Sequence, residues 1–255
     1  MSLNPVTPSL GWGVLHLFYR VDRSCVGDPG AAKPVLDAIA ALVADGHQVI
    51  AFSVLGSKAD LGLMAVGPDL ARLQQFQQEV LVGPLLPEYS YVSLTEQSEY
   101  AQTEDDERAR LAADEGITVP GEIENRLTVW RDRITHYREQ RIHPQLPVKA
   151  AMCFYPMSKR RDGADNWYSL DFDARKHLMA GHAKVGRTYA GRVVQLITGS
   201  TGLDEYEWGV TLFGNHTDDL KDVVYTMRFD RASAIFADFG QFYVGAITPV
   251  EQLFA

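Results

Sequence analysis

Apolar residues follow two different spacings along the first hundred residues of this chain. Runs that alternate in polarity, or that stay apolar over a few positions, predict strands, and apolar residues three or four positions apart predict helices. Strands are predicted at 12–21, 47–55, 61–66 and 88–94, and helices at 34–45 and 70–80. The resulting β-α-β-β-α-β order is that of a ferredoxin-like unit.

The same order returns in the second half of the chain. Its strands are predicted at 148–157, 192–198, 206–213 and 239–247, and its helices at 172–189 and 217–227. The segments FSVLGSKADLGLMAVGPDLARLQQF and QLITGSTGLDEYEWGVTLFGNHTDDLKDV share one succession of strand, Gly-Ser turn, strand and helix, which indicates an internal duplication. We therefore predict an α+β fold of tandem ferredoxin-like repeats that form a dimeric α+β barrel within one chain, with two four-stranded sheets packed face to face.

A polar and highly charged segment separates the two halves. Residues 102–116 are acidic, and residues 121–140 predict a charged helix with one apolar side formed by Ile123, Leu127, Trp130 and Ile134. We divide the chain into an N-terminal half at 1–100, a connector at 101–146 and a C-terminal half at 147–255. The connector is either a solvated link or a segment whose end, at Arg141 or His143, closes over a pocket in the second half.

Composition narrows the class of protein. A net charge of −9 argues against nucleic acid or an anionic membrane surface as the main partner. Two cysteines give no disulfide framework, and no apolar run reaches the length of about 18 residues that a membrane span needs. The first residues lack the pattern of a signal peptide. These features predict a cytoplasmic protein.

The predicted helix at 172–189 carries an inward-facing histidine. Asp171 or Asp173 is the expected N-cap. His182 lies on an apolar stripe, whereas His177 is expected to face solvent; the stripe comprises Phe172, Leu178, Met179 and Val185. Such a histidine is either a core residue bonded to a backbone carbonyl or an axial ligand of haem iron. Zinc is less favoured, because no second His or Cys lies at ligand spacing.

The predicted strand before this helix places three residues on one face. Cys153, Tyr155 and Met157 share that face, and Pro156 indicates an edge or the end of a strand. The following Ser-Lys-Arg-Arg is either a solvated turn or a site for carboxylates, such as porphyrin propionates.

Several motifs of the second half occur together in a known family. The segments YPMSKRR, GHAKVGRTYAGRVVQLITGS, DEYEWGVTLF and VVYTMRFDRASA closely resemble coproheme decarboxylases, the haem-forming branch of the chlorite dismutase-like superfamily. The resemblance covers most of the chain and is densest from about 147 to 247. It implies hydrogen-peroxide-dependent oxidative decarboxylation of two propionates of Fe-coproporphyrin III (coproheme) to give haem b, the last step of a haem biosynthesis route. It also implies a homo-oligomer, pentameric in these relatives, and a substrate that is its own redox cofactor.

The resemblance also implies roles for individual residues. His182 would be the proximal iron ligand, and Tyr155 the redox-active tyrosine beside a reacting propionate. Lys159 would neutralise a propionate and exchange protons. Gln195 stands where these decarboxylases carry a distal glutamine and where chlorite-degrading relatives carry arginine. The remaining porphyrin contacts would come from Arg141, Pro156, Met157, Ser158, Arg228 and Ser233.

Two features depart from or fall short of the family pattern. Cys153 occupies a position that is often tyrosine in this family. No acidic partner for the Nδ1 of His182 can be identified from the sequence, which would leave the iron–imidazole bond weakly supported.

Three other functions stay open. A chlorite dismutase-like or weak peroxidase activity is disfavoured by Gln195. A non-catalytic haem-binding protein would keep His182 but would not need Tyr155. A ferredoxin-like binding domain would bind no porphyrin at all.

Overall fold

The computed structural model describes residues 4–254. The first repeat contains the strands and helices that the sequence predicts, with ends shifted by a few residues. They are β1 (Gly13–Val21), α1 (Lys33–Ala44), β2 (Gln48–Val54), β3 (Leu61–Gly67), α2 (Leu70–Val80) and β4 (Leu85–Thr95). Short 3-10 helices at Arg23–Cys25 and Pro29–Ala32 connect β1 to α1.

The connector is helical for most of its length. It forms α3 (Glu104–Asp114) and α4 (Pro120–Ile142), and Leu127 and Trp130 of α4 are buried as predicted. The sequence analysis did not predict α3, which begins at a capping box between Thr103 and Asp106. No helix within residues 4–254 is both long enough and apolar enough to cross a membrane.

The second repeat follows the predicted order with additions near its end. Its elements are β5 (Ala151–Lys159), α5 (Phe172–Arg187), β6 (Val193–Gly199), β7 (Trp208–Gly214), α6 (Thr217–Met227), α7 (Arg231–Ala234), β8 (Ala237–Phe239) and β9 (Tyr243–Ile247). Short 3-10 helices lie at Gly163–Asp165, Trp167–Ser169 and Val250–Leu253.

The prediction of one final strand over 239–247 was wrong. The chain leaves the sheet after Phe239 and returns at Tyr243. Gly240 turns here against β5: its backbone N–H donates to the Pro156 carbonyl at 2.9 Å, and a Cβ would lie 2.7 Å from the Pro156 ring. This close approach breaks the strand into β8 and β9.

The sheets of the two repeats join at their edges. Each repeat orders its strands as 4-1-3-2, which reads β4-β1-β3-β2 in the first and β9-β5-β7-β6 in the second. Antiparallel pairs between β2 and β9 and between β4 and β6 then close eight strands into a ring. The short β8 pairs with the end of β5, beyond the part of β5 that pairs with β9. The predicted barrel is therefore formed, but by edge-to-edge pairing rather than by two separate sheets packed face to face.

The interior of the barrel is filled by side chains of both repeats. Phe18, Phe52, Phe154, Phe213 and other apolar residues form one buried cluster there. The helices cover the outer faces, with α1 and α2 on the first repeat and α5 and α6 on the second. Because the interior is packed, a large ligand fits only on an outer face.

One histidine is enclosed in the barrel interior. His16 is fully buried, its ring stacks on Phe154 with centroids 4.0 Å apart, and its Nε2 lies 2.9 Å from the hydroxyl oxygen of Thr211. Burial lowers the pKa of His16 from 6.5 to about 3. The imidazole is therefore neutral in the folded protein near neutral pH.

This neutral histidine should make stability sensitive to acid. Between pH 6.5 and 3 the unfolded chain binds a proton at His16 that the folded chain does not, so the free energy of unfolding falls as pH decreases. From pH 7 to 5 we expect wild type to lose about 2 kcal/mol more than His16→Gln. Urea unfolding at both pH values measures this difference. Parallel losses in the two proteins would show that His16 does not carry the effect.

Candidate active site

Helix α5 lies over the second repeat without burying any residue. Asp171 caps it, accepting a hydrogen bond from the backbone N–H of Ala174 at 2.8 Å, which confirms one of the two predicted caps. None of its described residues is buried, whereas the corresponding α1 buries Val35, Ala38 and Leu42. Phe172, predicted to lie on the apolar stripe, is 44% exposed and stacks on Tyr100. Helix α5 therefore packs less closely on its sheet than α1 does.

His182 is the central polar group on the inner side of α5. Its Nδ1 lies 2.9 Å from Oδ2 of Asp230, and the side chains are 25% and 7% exposed. A carboxylate accepts hydrogen bonds, so Nδ1 carries the proton that it donates, and Nε2 is the ring nitrogen that is free of this contact. His177 is exposed, as predicted. The imidazole is thus held in the tautomer that a metal requires.

Asp230 is the acidic partner of His182, which cannot be identified from the sequence alone. It is the N-cap of α7, and its Oδ2 also accepts from the backbone N–H of Ser233 at 3.2 Å. The Ser233 hydroxyl lies 3.4 Å from the His182 Nδ1, so the structure places Ser233 beside the imidazole. The sequence does carry a local sign of this helix cap, because an Asp three residues before a Ser is typical of a helix start. Only the fold shows that this cap lies against α5.

Tyr155 is on the outer face of β5 in an aromatic cluster. Its ring stacks on Phe242 with centroids 4.3 Å apart and lies 5.7 Å from Phe239. Its hydroxyl has no hydrogen-bond partner among the described residues, and burial raises the pKa of the phenol. The guanidinium of Arg228, which is 4.5 Å from the Phe239 ring, opposes this rise. Tyr155 is therefore held as a neutral phenol next to a cation.

Lys159 does not lie in a solvated turn. A solvated turn was one of two predictions for the Ser-Lys-Arg-Arg segment, and a carboxylate site was the other. Lys159 is the last residue of β5, is 8% exposed, and donates from Nζ to the Ala232 carbonyl at 2.8 Å. Its ammonium also lies 4.4 Å from the Trp167 ring centre. Burial lowers the pKa of Lys159 to about 8, and the carboxylates of Asp230 and Glu207 partly oppose this. A lysine in this state gains or loses a proton near neutral pH.

Gln195 lies on the same outer face, beneath α5. It shares one face of β6 with Val193 and Ile197, and both of these residues pack in the cluster between the sheet and its helices. A Cβ at Gly186 of α5 would lie 3.9 Å from the Gln195 Nε2 and 3.1 Å from the Met227 methyl. Glycine at this position lets the helix approach the sheet, and it brings an uncharged amide into an apolar setting.

Residues of the YPMSKRR segment divide between the two faces of β5. Met157 packs on the face of Tyr155 and pairs across strands with Trp208 of β7. Ser158 points the other way, where its hydroxyl accepts from the backbone N–H of Glu207 at 3.2 Å. Pro156 also lies on that other face, against Gly240. The structure therefore brings Met157, but not the side chains of Pro156 and Ser158, to the face of Tyr155.

The end of the connector is fixed near this face. The Thr95 hydroxyl donates to the carbonyl of Ile142, the residue after Arg141, at 2.7 Å. Arg141 stabilises the charged form of the Glu96 carboxylate, whose Oε1 accepts from the Trp208 indole at 3.2 Å. The charge of Arg141 thus acts near the strand that carries Trp208. Trp208 in turn pairs with Met157.

The residues of this candidate site suit an iron porphyrin. Among residues 4–254 no group of three His, Cys, Asp or Glu side chains could hold a bare metal ion, whereas His182 offers one oriented Nε2. The outer side of the second repeat adds apolar side chains, one amide and several cations, as an apolar macrocycle with carboxylate arms requires. The donor set and the charges therefore fit such a group.

A family model described as chlorite dismutase matches residues 31–248 of the chain. The chain belongs to the chlorite dismutase family. This membership confirms the resemblance identified from the motifs, and it agrees with the α+β fold described above.

Individual relatives in this family agree with that membership. The chain is 37% identical to a coproheme decarboxylase of Staphylococcus carnosus, with 95% of this chain and 94% of that one aligned. It is 39% identical over 92% of its length to a protein of Natronomonas pharaonis named as heme-binding, and it spans only 39% of that protein.

Solved structures of this family share the fold. A heme-binding protein from Thermus thermophilus superposes with a TM-score of 0.76 at 32% identity, covering 99% of this chain and 98% of that one. A variant of the chlorite dismutase from Candidatus Nitrospira defluvii gives a TM-score of 0.68 at 16% identity, over 97% and 95% of the two chains. The second likeness shows the fold alone.

Removing the charge of Asp230 should weaken the imidazole as an iron ligand. Asp230→Asn keeps the size of the side chain but gives Nδ1 a neutral acceptor, so Nε2 donates less electron density. We expect about tenfold weaker haem affinity and a lower iron–histidine stretching frequency in the ferrous protein, measured by resonance Raman spectroscopy. Asp173→Asn, at an exposed position of α5, the helix that carries His182, is the control. An unchanged stretching frequency in the Asp230 variant would contradict this role.

Proposed function

We propose that this protein is a cytoplasmic coproheme decarboxylase that uses hydrogen peroxide to convert two propionates of Fe-coproporphyrin III into vinyl groups, giving haem b as the last step of a haem biosynthesis route. The observation that carries the proposal is the position of Tyr155, a neutral phenol on the outer sheet face of the second repeat, the face that also carries Gln195. The relative in Staphylococcus carnosus, which bears this activity in its name, supports it. We also propose that it acts as a homo-oligomer, a pentamer by resemblance to its family.

The chain's own residues would bind and orient the substrate. His182 would hold the iron from the side of α5, with Asp230 fixing its tautomer. Arg141 and Arg228 would bind propionates as cations, and Met157 would pack at the edge of the macrocycle. When bound, the iron porphyrin supplies the redox chemistry with peroxide, and the protein supplies orientation and charge.

Tyr155 would transfer hydrogen between the propionate and the oxidant. Loss of a hydrogen atom from its phenol gives a radical that removes a hydrogen atom from the β-carbon of the propionate. That propionate then loses carbon dioxide and one further electron, which leaves a vinyl group. Each propionic acid and one hydrogen peroxide thus give one vinyl group, one carbon dioxide and two waters. A neutral phenol suits this step, because burial keeps the proton on Tyr155 until the oxidation occurs.

Gln195 favours decarboxylation over chlorite decomposition. An amide can donate a hydrogen bond to bound peroxide, but it has no positive charge to stabilise an anionic oxidant. In the family pattern, chlorite-degrading members carry arginine at this place. The amide of Gln195 lies among apolar neighbours, Val193 and Ile197 on its strand and Gly186 of α5 above it.

Haem binding without turnover is the second candidate function. It is favoured by two relatives whose names or titles describe heme binding. A binding protein of this kind would need His182 and Asp230, but not a phenol at Tyr155. The two candidates therefore differ in what the Tyr155 hydroxyl contributes.

Removing that hydroxyl tests the proposal. The protein is loaded anaerobically with ferric coproporphyrin III, peroxide is added stepwise, and mass spectrometry identifies the porphyrins. We expect wild type to give two successive losses of carbon dioxide plus two hydrogens. Tyr155→Phe should bind the porphyrin within about twofold of wild type but form vinyl product at least about a hundredfold more slowly, because phenylalanine has no O–H hydrogen atom to lose. Binding and bleaching by wild type without vinyl product would leave only the second candidate.

Lys159 should make substrate affinity depend on pH. Its ammonium loses the proton above about pH 8, so fewer molecules of free protein carry the charge that a propionate needs. From pH 7 to 9.5 we expect the Kd of wild type for ferric coproporphyrin III to rise about tenfold and that of Lys159→Met to stay nearly level. Titrations followed at the Soret band measure both, with Lys184→Met at an exposed position of α5 as the control. Equal pH dependence in the wild type and the Lys159 variant would argue against a propionate contact.

A further inference from the structure

A lysine of the first repeat reaches the face of the second repeat that carries Tyr155. Lys58 lies in the turn between β2 and β3, close to where β2 pairs with β9 and closes the barrel. Its Nζ donates to the carbonyl of Phe242 at 2.5 Å, a contact between residues 184 positions apart. The closure of the barrel therefore delivers one cation from the first half to the candidate active site.

Two further observations place this ammonium close to Tyr155. The ring of Phe242 is the one that stacks on Tyr155, with centroids 4.3 Å apart. Burial raises the pKa of the Cys153 thiol to about 12, and the charge of Lys58 opposes that rise. Cys153 is two residues before Tyr155 on the same strand face. Lys58 is thus bonded to the residue whose ring stacks on Tyr155, and its charge acts on Cys153.

The charge of Lys58 is not neutralised within the described part of the chain. Lys33, Lys176 and Lys221 each form an ion pair with an aspartate, at 2.7 to 2.9 Å. No described carboxylate lies within 4.0 Å of the Lys58 Nζ, although the chain carries a net charge of −9. A lysine has three N–H donors, and the Phe242 carbonyl takes one of them. Two donors and a full positive charge remain for a ligand.

Two cations lie at the aromatic neighbours of Tyr155. The Arg228 guanidinium lies over Phe239, and the Lys58 ammonium is bonded at Phe242, and both rings contact the Tyr155 ring. The nearby Lys159 has its Nζ on the Ala232 carbonyl. Two cations around one neutral phenol suit a carboxylate whose carbon chain must lie against that phenol.

We propose that Lys58 binds the carboxylate of a reacting propionate and holds it against Tyr155. The proposal rests on the proposed function, because it assigns Lys58 to the substrate of that reaction. This carboxylate leaves as carbon dioxide, so Lys58 contacts the substrate and loses its partner in the product. Lys58 would thus help the protein to bind coproheme more tightly than haem b.

Binding measurements without peroxide test this proposal. Lys58→Met removes the charge and keeps a similar length, and Lys33→Met makes the same charge change on the exposed side of α1. Titrations at the Soret band give the Kd of each protein for ferric coproporphyrin III and for ferric haem b. For Lys58→Met we expect a roughly three- to tenfold larger Kd for coproporphyrin, as expected for one partly exposed charge pair, and less than about a twofold change for haem b. Lys33→Met should match wild type, and Lys58→Arg should restore coproporphyrin affinity.

The outcomes separate this proposal from the proposed function. If Lys58→Met weakens the binding of both porphyrins equally, Lys58 contacts no reacting propionate. If the Kd stays unchanged for both, Lys58 contacts no propionate at all. Either result overturns the proposal. Turnover of wild type with peroxide, followed by mass spectrometry, tests the decarboxylase assignment independently. A wild type that binds both porphyrins but forms no vinyl product would refute the decarboxylase and leave the affinity comparison to show whether Lys58 selects the tetracarboxylate.

Discussion

The pairing of sheet edges between the two repeats is the constraint on which the rest of the molecule depends. Only three residue pairs join β2 to β9 and only two join β4 to β6, yet these pairs convert two open sheets into one ring. A closed ring has no free sheet edges to satisfy, and its interior must be filled by side chains of both repeats. The inner faces are thus used for stability, and a ligand site is left to the outer faces under the helices.

The two outer faces are used differently. On the first repeat, α1 and α2 pack against the sheet through a large apolar cluster that includes Val35, Leu42 and Phe76. On the second, α5 buries none of its described residues, and His182 contacts the Asp230 cap of α7. Small residues such as Gly186 keep this helix close to Gln195 while leaving its inner side without bulk. One architecture, repeated twice, therefore serves as a packed support in one copy and as a candidate porphyrin site in the other.

How far the sequence predicted this arrangement depends on the range of the interaction involved. Periodicity found the repeats, and spacing along one helix or strand put His182 on the inner side of α5 and Tyr155 beside Met157, because these are local relations. The partner of His182 is different: Asp230 is 48 residues away and reaches the imidazole only because α7 packs on α5. Lys159 likewise looked like a residue of a polar turn until the Trp167 ring and the Ala232 carbonyl were found around it. Single-sequence patterns carry no information on such contacts.

Two tyrosines show that the surroundings rather than the residue type decide what this fold can do. Tyr19 of β1 and Tyr155 of β5 lie on the outer face of the first strand of their repeats, both are buried, and burial raises the pKa of both phenols. Tyr19 is enclosed by the helices of its repeat, and its hydroxyl is buried without a partner. Around Tyr155, in contrast, Arg228 lies over the Phe239 ring and Lys58 is bonded to the Phe242 carbonyl. A phenol surrounded only by apolar side chains has nothing to exchange hydrogen with, whereas a phenol near two cationic groups can have a carboxylate substrate held beside it. Because one of those groups, Lys58, comes from the first repeat, the pairing of β2 with β9 that closes the barrel also completes the surroundings of Tyr155.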